Sequence, residues 1–191
     1  MASNDIYHGQ AAHEPGLDVK PHSYAAKPFD EEYDIEVKWA VALGAEVTAL
    51  SSSAAKEDEC KNVLGAHHYL NYSDPEAVKA AAQSFDILLC TSYGDKTNWD
   101  FLFSLVATEG KFILVGLPEK PISFMAFSVV PRQITFVGSL IGSPETIEEM
   151  LEFAVEKNVR SIVQVMPMAE ASAALKKVRA GDVRFRIVLQ N

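Results

Sequence analysis

The feature that most constrains this chain is the alternation of helical and extended segments that begins at Trp39 and runs to the C-terminus through short connections. A chain that returns through a helix after each strand lays its strands parallel, so the expected class is α/β with a mostly parallel, doubly wound sheet. Residues 39–43 read as a short helix closed by Gly44, a residue suited to the left-handed position at a helix end, and residues 46–50 as the strand after it. A helix over residues 56–64 stops at Gly65, residues 67–70 are a short strand, and residues 74–83 form an Ala-rich helix opened by Asp74-Pro75. Residues 85–90 have the apolar run of a strand buried on both faces. A helix over residues 98–108 ends at Gly110, and strands follow at residues 111–116 and 133–139. Helices at residues 144–157 and 168–179 bracket a strand at 162–165, and residues 184–189 are the last strand.

Before Trp39 the pattern differs. Residues 1–34 are rich in Pro, His, Gly and acids and have no helical period, whereas Asp34-Ile35-Glu36-Val37-Lys38 alternates polar and apolar residues and predicts a short half-exposed strand. No internal repeat or low-complexity tract is evident. With 48% hydrophobic and 23% charged residues, the chain is rich enough in apolar side chains to build a globular core. A formal charge of −9 with no Lys/Arg block repels polyanions, which argues against nucleic acid and anionic membranes as partners. Cys60 and Cys90 form no CxxC and cannot supply a disulfide framework, which favours a reducing compartment. The polar N-terminus leads into no apolar run of signal-peptide or membrane-span length, so a cytoplasmic location is expected.

Several segments fall in a recognisable order: Ala42-Leu43-Gly44-Ala45-Glu46-Val47-Thr48, Leu64-Gly65-Ala66, the stretch from Gly110 through Val115-Gly116-Leu117 to Pro118, and Gly181-Asp182-Val183-Arg184-Phe185-Arg186. In that order and spacing they resemble the nucleotide-binding domain of zinc-type medium-chain alcohol dehydrogenases of the NADP-dependent, cinnamyl-alcohol type, over essentially all of residues 39–191. The resemblance implies a Rossmann-type domain there. It also gives weight to Ser51-Ser52-Ser53 and Lys56, which follow the second strand at the place where an acidic residue would accept the ribose hydroxyls of NAD. Hydroxyls and an ammonium suit the 2′-phosphate of NADP instead. The same serines could equally cap the helix after them, and the two roles can coexist. Position by position, the resemblance places Thr91 and Ser92 along the adenosine side, Val115, Gly116 and Leu117 near the nicotinamide, and Ser139, Leu140 and Ile141 on its other flank. For Val115, Leu117 and Ile141 core packing is the competing role. Arg184 or Arg186 is expected to reach the pyrophosphate, and the sequence leaves open which. His67-His68 point to opposite faces of a strand and have no Cys or carboxylate at metal spacing, so they are expected to be structural, as are His8, His13 and His22. Cys90 is expected to be a core residue.

Residues 1–38 resemble the start of the same family's catalytic, GroES-like domain, with residues 29–38 matching the strand before its first zinc-ligand cysteine. The division expected is therefore a remnant over residues 1–38 and an NADP-binding domain over 39–191. The family's zinc-ligating Cys and His-Glu residues, its structural-zinc cysteines, its first sheet strand and its Gly-rich turn have no counterpart in this sequence. Zinc polarises the alcohol oxygen so that hydride can leave, so independent turnover is expected to fail and no catalytic or metal-binding residue is assigned. NADP binding is expected to be weakened, because the backbone amides that would hold the pyrophosphate are not supplied. Loss of a central strand would leave its neighbours facing each other across a gap, into which residues 34–38 could slip.

The resemblance implies an oxidoreductase interconverting small alcohols and aldehydes with NADP(H), here impaired. The alternative is a non-catalytic NADP-binding or dimerisation module, a truncated or splice form. Its homodimer contact would be the edge strand expected at Ile122-Ser123-Phe124-Met125-Ala126-Phe127. A zinc-independent reductase using a tyrosine or water as proton donor is a third reading.

Overall fold

In the computed structural model the residues described are 8–11, 20–23, 34–91, 97–118, 120–180, 182–183 and 185–191. In chain order the elements are β1 (His8–Ala11), β2 (Lys20–Ser23), α1 (Asp34–Ala42), β3 (Thr48–Ser51), β4 (His68–Asn71), α2 (Pro75–Ala80), β5 (Phe85–Cys90), α3 (Trp99–Leu105), β6 (Val106–Leu114), β7 (Thr135–Gly138), α4 (Pro144–Glu156), β8 (Val163–Pro167), α5 (Ala171–Ala180) and β9 (Arg186–Gln190). They fall into two compact units, Met1–Glu36 with Arg160–Asn191, and Val37–Val159. The first contains the antiparallel pair β1–β2 and a β8–α5–β9 crossover whose strands run parallel, with Ala171, Ala174 and Val183 buried.

The second unit is a mixed α/β arrangement with parallel strands, as the alternation predicts. β3 pairs with β4, and β5, β6 and β7 form a three-stranded sheet; every pairing is parallel. These are separate sheets, with no strand pairing between β3 and β5 among the described residues. One core nevertheless serves both. Leu70 of β4 clusters with Leu88, Cys90, Trp99, Phe103, Leu105, Val106, Phe112 and Ile134, and Leu50 of β3 packs against them. Phe103 and Phe112 are fully buried with ring centroids 4.6 Å apart, and Trp99, Phe124 and Phe136 surround them.

Helix boundaries follow the expected chemistry. Asp74 caps α2 by accepting the N–H groups of Glu76 and Ala77 ahead of Pro75, Asn98 caps α3 through Phe101 N–H, and Ser143 caps α4 through Thr146 N–H. α1 closes in a Schellman arrangement: Ala45 N–H reaches Ala40 O at 3.0 Å, Gly44 N–H reaches Val41 O at 2.9 Å, and Gly44 takes φ 88°.

Several expectations are corrected. Residues 34–38 are the first turn of α1 and neither a strand nor a filler of the gap beside β3. Alternation over five residues does not define a strand without a neighbour to pair with, and continuity with residues 39–42 lets the backbone satisfy itself as a helix. The helix expected over residues 56–64 is wound as a 3₁₀ turn at Ala54–Lys56 and a π turn at Glu59–Val63, which closes with Leu64 and Ala66 buried. α3 ends at Leu105, before the expected Gly110. Gly110 lies instead in a tight irregularity of β6, where the register slips between Phe85 and Ile87 and a Cβ would stand 2.7 Å from Val106 Cγ1. β5 is not buried on both faces: Leu88 and Cys90 are in the core, while Ile87 and Leu89 are 59% and 45% exposed. Finally, no strand forms over Ile122–Phe127. Pro121 lacks a backbone donor, Asp100 takes the Met125 N–H, and a 3₁₀ turn begins at Ala126.

Candidate nucleotide-binding edge

The register of the parallel strands brings the candidate residues of the Val37–Val159 unit to their carboxyl ends. Cys90, Leu114 and Gly138 share one row, so Thr91, Val115 and Ser139 follow side by side. Val115 N–H donates to Cys90 O at 3.2 Å and Ser139 N–H to Leu114 O at 3.0 Å, which extends the ladder one step past each strand. Thr91, Val115 and Gly116 are half-buried. Leu117, Leu140 and Ile141 are 66%, 68% and 74% exposed, so the competing core role does not hold for Leu117 or Ile141.

The β3–β4 sheet ends in the serine turn. Ser51 closes β3 opposite Asn71, and Ser52 and Ser53 lead into the 3₁₀ turn that carries Lys56. Ser53 Oγ accepts Ala55 N–H at 3.3 Å, so the capping role is real. Ser51 Oγ accepts Ser53 N–H at 3.4 Å. A hydroxyl carries one proton and two lone pairs, so both serines act here as acceptors and keep their protons for another partner. Lys56 is exposed on the same turn. Hydroxyl protons and an ammonium on a short, partly exposed turn fit a phosphate dianion.

The backbone of this turn is held from β4. Tyr69, half-buried, donates its hydroxyl to Ser53 O; Ser73 donates its own to Ser52 O at 2.9 Å; and Tyr72 N–H reaches Ser51 O at 2.9 Å. Asn71 Oδ1 accepts Ser73 N–H at 3.0 Å and fixes the residue that makes the second contact. Sequence reasoning missed Tyr69 and Ser73. The usable signal was the pairing of two parallel strands, which puts residues in and just after β4 beside residues after β3.

Arg186 is half-buried on β9 of the other unit, and Ser92 and Arg184 lie outside the described residues. The acidic stretch Asp30-Glu31-Glu32 lies outside them too, while the sequence between Leu17 and Leu43 contains no glycine that could form a pyrophosphate-binding turn ahead of α1. Among the described residues no group of His, Cys, Asp and Glu could hold a metal ion. His67 Nδ1 accepts Val47 N–H at 3.0 Å and His68 Nε2 meets Glu46 at 2.7 Å, which holds the Glu46 carboxyl below its usual range through that hydrogen bond and the nearby charge. Cys90 is buried in the core, and burial, with Glu59 beside it, pushes the Cys60 thiol up. The donor set of a zinc site does not fit these residues. No described helix is long and apolar enough to cross a membrane.

Parallel strands in a mixed α/β arrangement, with the candidate residues at the strands' carboxyl ends, define an α/β domain of the class that binds ligands at that edge. The chain belongs to the zinc-binding dehydrogenase family, which matches residues 35–156 and so begins inside α1. It is 36% identical over 155 residues to 8-hydroxygeraniol dehydrogenase of Catharanthus roseus, a match covering 81% of this chain and 43% of the relative. It is 38% identical over 153 residues to a probable cinnamyl alcohol dehydrogenase of Populus deltoides, covering 80% and 43%. A cinnamyl alcohol dehydrogenase structure from Sorghum bicolor superposes with a TM-score of 0.75 at 30% identity, covering 81% of this chain and 44% of that one. The chain thus spans less than half the length of these relatives.

Proposed function

We propose that this chain is the NADP(H)-binding portion of an oxidoreductase interconverting small alcohols and aldehydes, that it binds the cofactor weakly, and that it does not turn over on its own. The observation carrying this reading is the serine turn, which presents hydroxyl protons and Lys56 at the carboxyl end of β3, where a 2′-phosphate is distinguished from a bare ribose hydroxyl. Ser51, Ser52, Ser53 and Lys56 would hold that phosphate. Thr91 would line the adenosine side with Ser92, while Val115, Gly116 and Leu117 on one flank and Ser139, Leu140 and Ile141 on the other would face the nicotinamide, which when bound supplies or takes up hydride. One of Arg184 and Arg186 would serve the pyrophosphate. The weakness follows from the sequence ahead of α1, where acids stand in place of glycine-borne amides.

Calorimetric titration of the full chain with NADPH and NADH tests the reading. NADPH is expected to bind more tightly than NADH, but with a Kd weaker than about micromolar. Equal affinities would overturn the assignment of the turn, and aldehyde reduction with NADPH by the purified chain would overturn the claim of impaired turnover.

A second reading, a homodimerising module, is favoured by apolar exposure around the segment before β7. Met125, Phe127 and Val130 all face outward there, and association would use these side chains in place of strand pairing. Concentration-dependent sedimentation of the chain is its test.

A further inference from the structure

We propose that Tyr69 and Ser73 are specificity-determining positioning residues for the phosphate turn: by occupying its backbone carbonyls they turn it into a donor-only surface that prefers a 2′-phosphorylated adenine nucleotide over one with a free 2′-hydroxyl. The inference rests on the reading of Ser51–Ser53 and Lys56 as the phosphate site.

A short turn offers about as many acceptors as donors, and a carbonyl facing a dianion is repulsive. Here three consecutive carbonyls are engaged from the β4 side, Ser51 O by Tyr72 N–H, Ser52 O by the Ser73 hydroxyl and Ser53 O by the Tyr69 hydroxyl, with Lys56 N–H also on Ser53 O at 3.3 Å. The serine hydroxyls accept from Ser53 N–H and Ala55 N–H, so their protons stay available. Two of these four contacts come from side chains, and those two can be removed singly. Tyr69 reaches the turn from the β4 position paired with Ala49, and Ser73, just past β4, is held by Asn71, so both are fixed from the β4 side.

The test compares adenosine 2′,5′-bisphosphate with adenosine 5′-monophosphate by calorimetry on the full chain, its Tyr69→Phe and Ser73→Ala variants, and the double variant. The bisphosphate is expected to bind the unaltered chain at least about tenfold more tightly than the monophosphate. Each single change is expected to shrink that ratio by about fivefold, the worth of one hydrogen bond, while monophosphate affinity stays within about twofold. A merely structural role would weaken both ligands alike. Ser73 is exposed, so Ser73→Ala keeps the test decisive even where Tyr69→Phe perturbs folding. A full ratio retained in Ser73→Ala and the double variant would overturn this inference and leave the phosphate turn standing. No discrimination, or no saturable binding of either nucleotide by the unaltered chain, would overturn the phosphate turn and the inference with it.

Discussion

The two carboxyl edges of the Val37–Val159 unit are built on the same core and finished differently. Over β3–β4 the turn is polar, and its carbonyls are closed by hydrogen bonds from residues at most 21 positions away. Over β5–β6–β7 the half-buried row of Thr91 and Val115 gives way to Leu117, Leu140 and Ile141, apolar side chains that nothing described here covers. A hydrogen-bonded turn is complete once its local partners are in place. An apolar wall gains its free energy only when another surface removes it from water. On the proposed reading, the nucleotide's phosphate end would meet a finished seat in this chain and the nicotinamide end only half of one.

The largest expected effect tests whether one core supports both edges. Phe103 is fully buried against Phe112, Phe124 and Phe136, and Phe103→Ala is expected to cost about 3–5 kcal/mol, most of the stability of a small domain. Chemical denaturation should show both edges melting together; loss of the β5–β7 side alone would show that the β3–β4 sheet is independent. Gly110→Ala strikes the β5–β6 junction only. Its new methyl would meet Val106 Cγ1 at 2.7 Å and Ala107 O at 2.9 Å, so a cost of about 1–3 kcal/mol is expected, read as a lower midpoint with nucleotide discrimination at the serine turn retained.

A smaller and pH-dependent effect is expected at Asp100, whose carboxylate accepts the Ser128 hydroxyl and Met125 N–H and ties the segment before β7 to α3. The Ser128 bond first, then the backbone bond, hold its carboxyl below the usual range. Because the folded value is the lower one, the contribution is present above the ordinary aspartate pKa of about 4 and fades as pH falls through the folded value. Thermal melts of the chain and its Asp100→Asn variant should therefore differ at neutral pH and converge in acid. A gap that persists in acid below the folded value would assign the effect to packing.

How much of this was legible depended on what each signal measures. Helix caps were readable because Asp74-Pro75 and Gly44 act through their own backbone neighbours, and the parallel α/β class followed from the order of segments. Residues 34–38 were misread because a five-residue alternation carries no information about whether a pairing strand exists. Ile87 and Leu89 were misread as buried because an apolar strand shows what could be covered and not what covers it. At the site, Ser51–Ser53 and Lys56 stood out as residue types, whereas Tyr69 and Ser73 act on carbonyls some twenty positions away, through a register that composition does not encode.

The smallest effect expected on stability bears most directly on the unfinished edge. Ile141 follows β7 and is largely exposed, so Ile141→Ser should leave the unfolding free energy within about 0.5 kcal/mol of the original. If it lines the nicotinamide flank, the same change should weaken NADPH by about two- to fivefold, the scale of a partly buried methylene, while adenosine 2′,5′-bisphosphate, which has no nicotinamide, binds as before. A stability loss above about 1 kcal/mol would mean that Ile141 is packed in solution and that the edge is already covered. An equal loss for both ligands would remove Ile141 from the nicotinamide flank and make the contrast between the two edges one of packing alone.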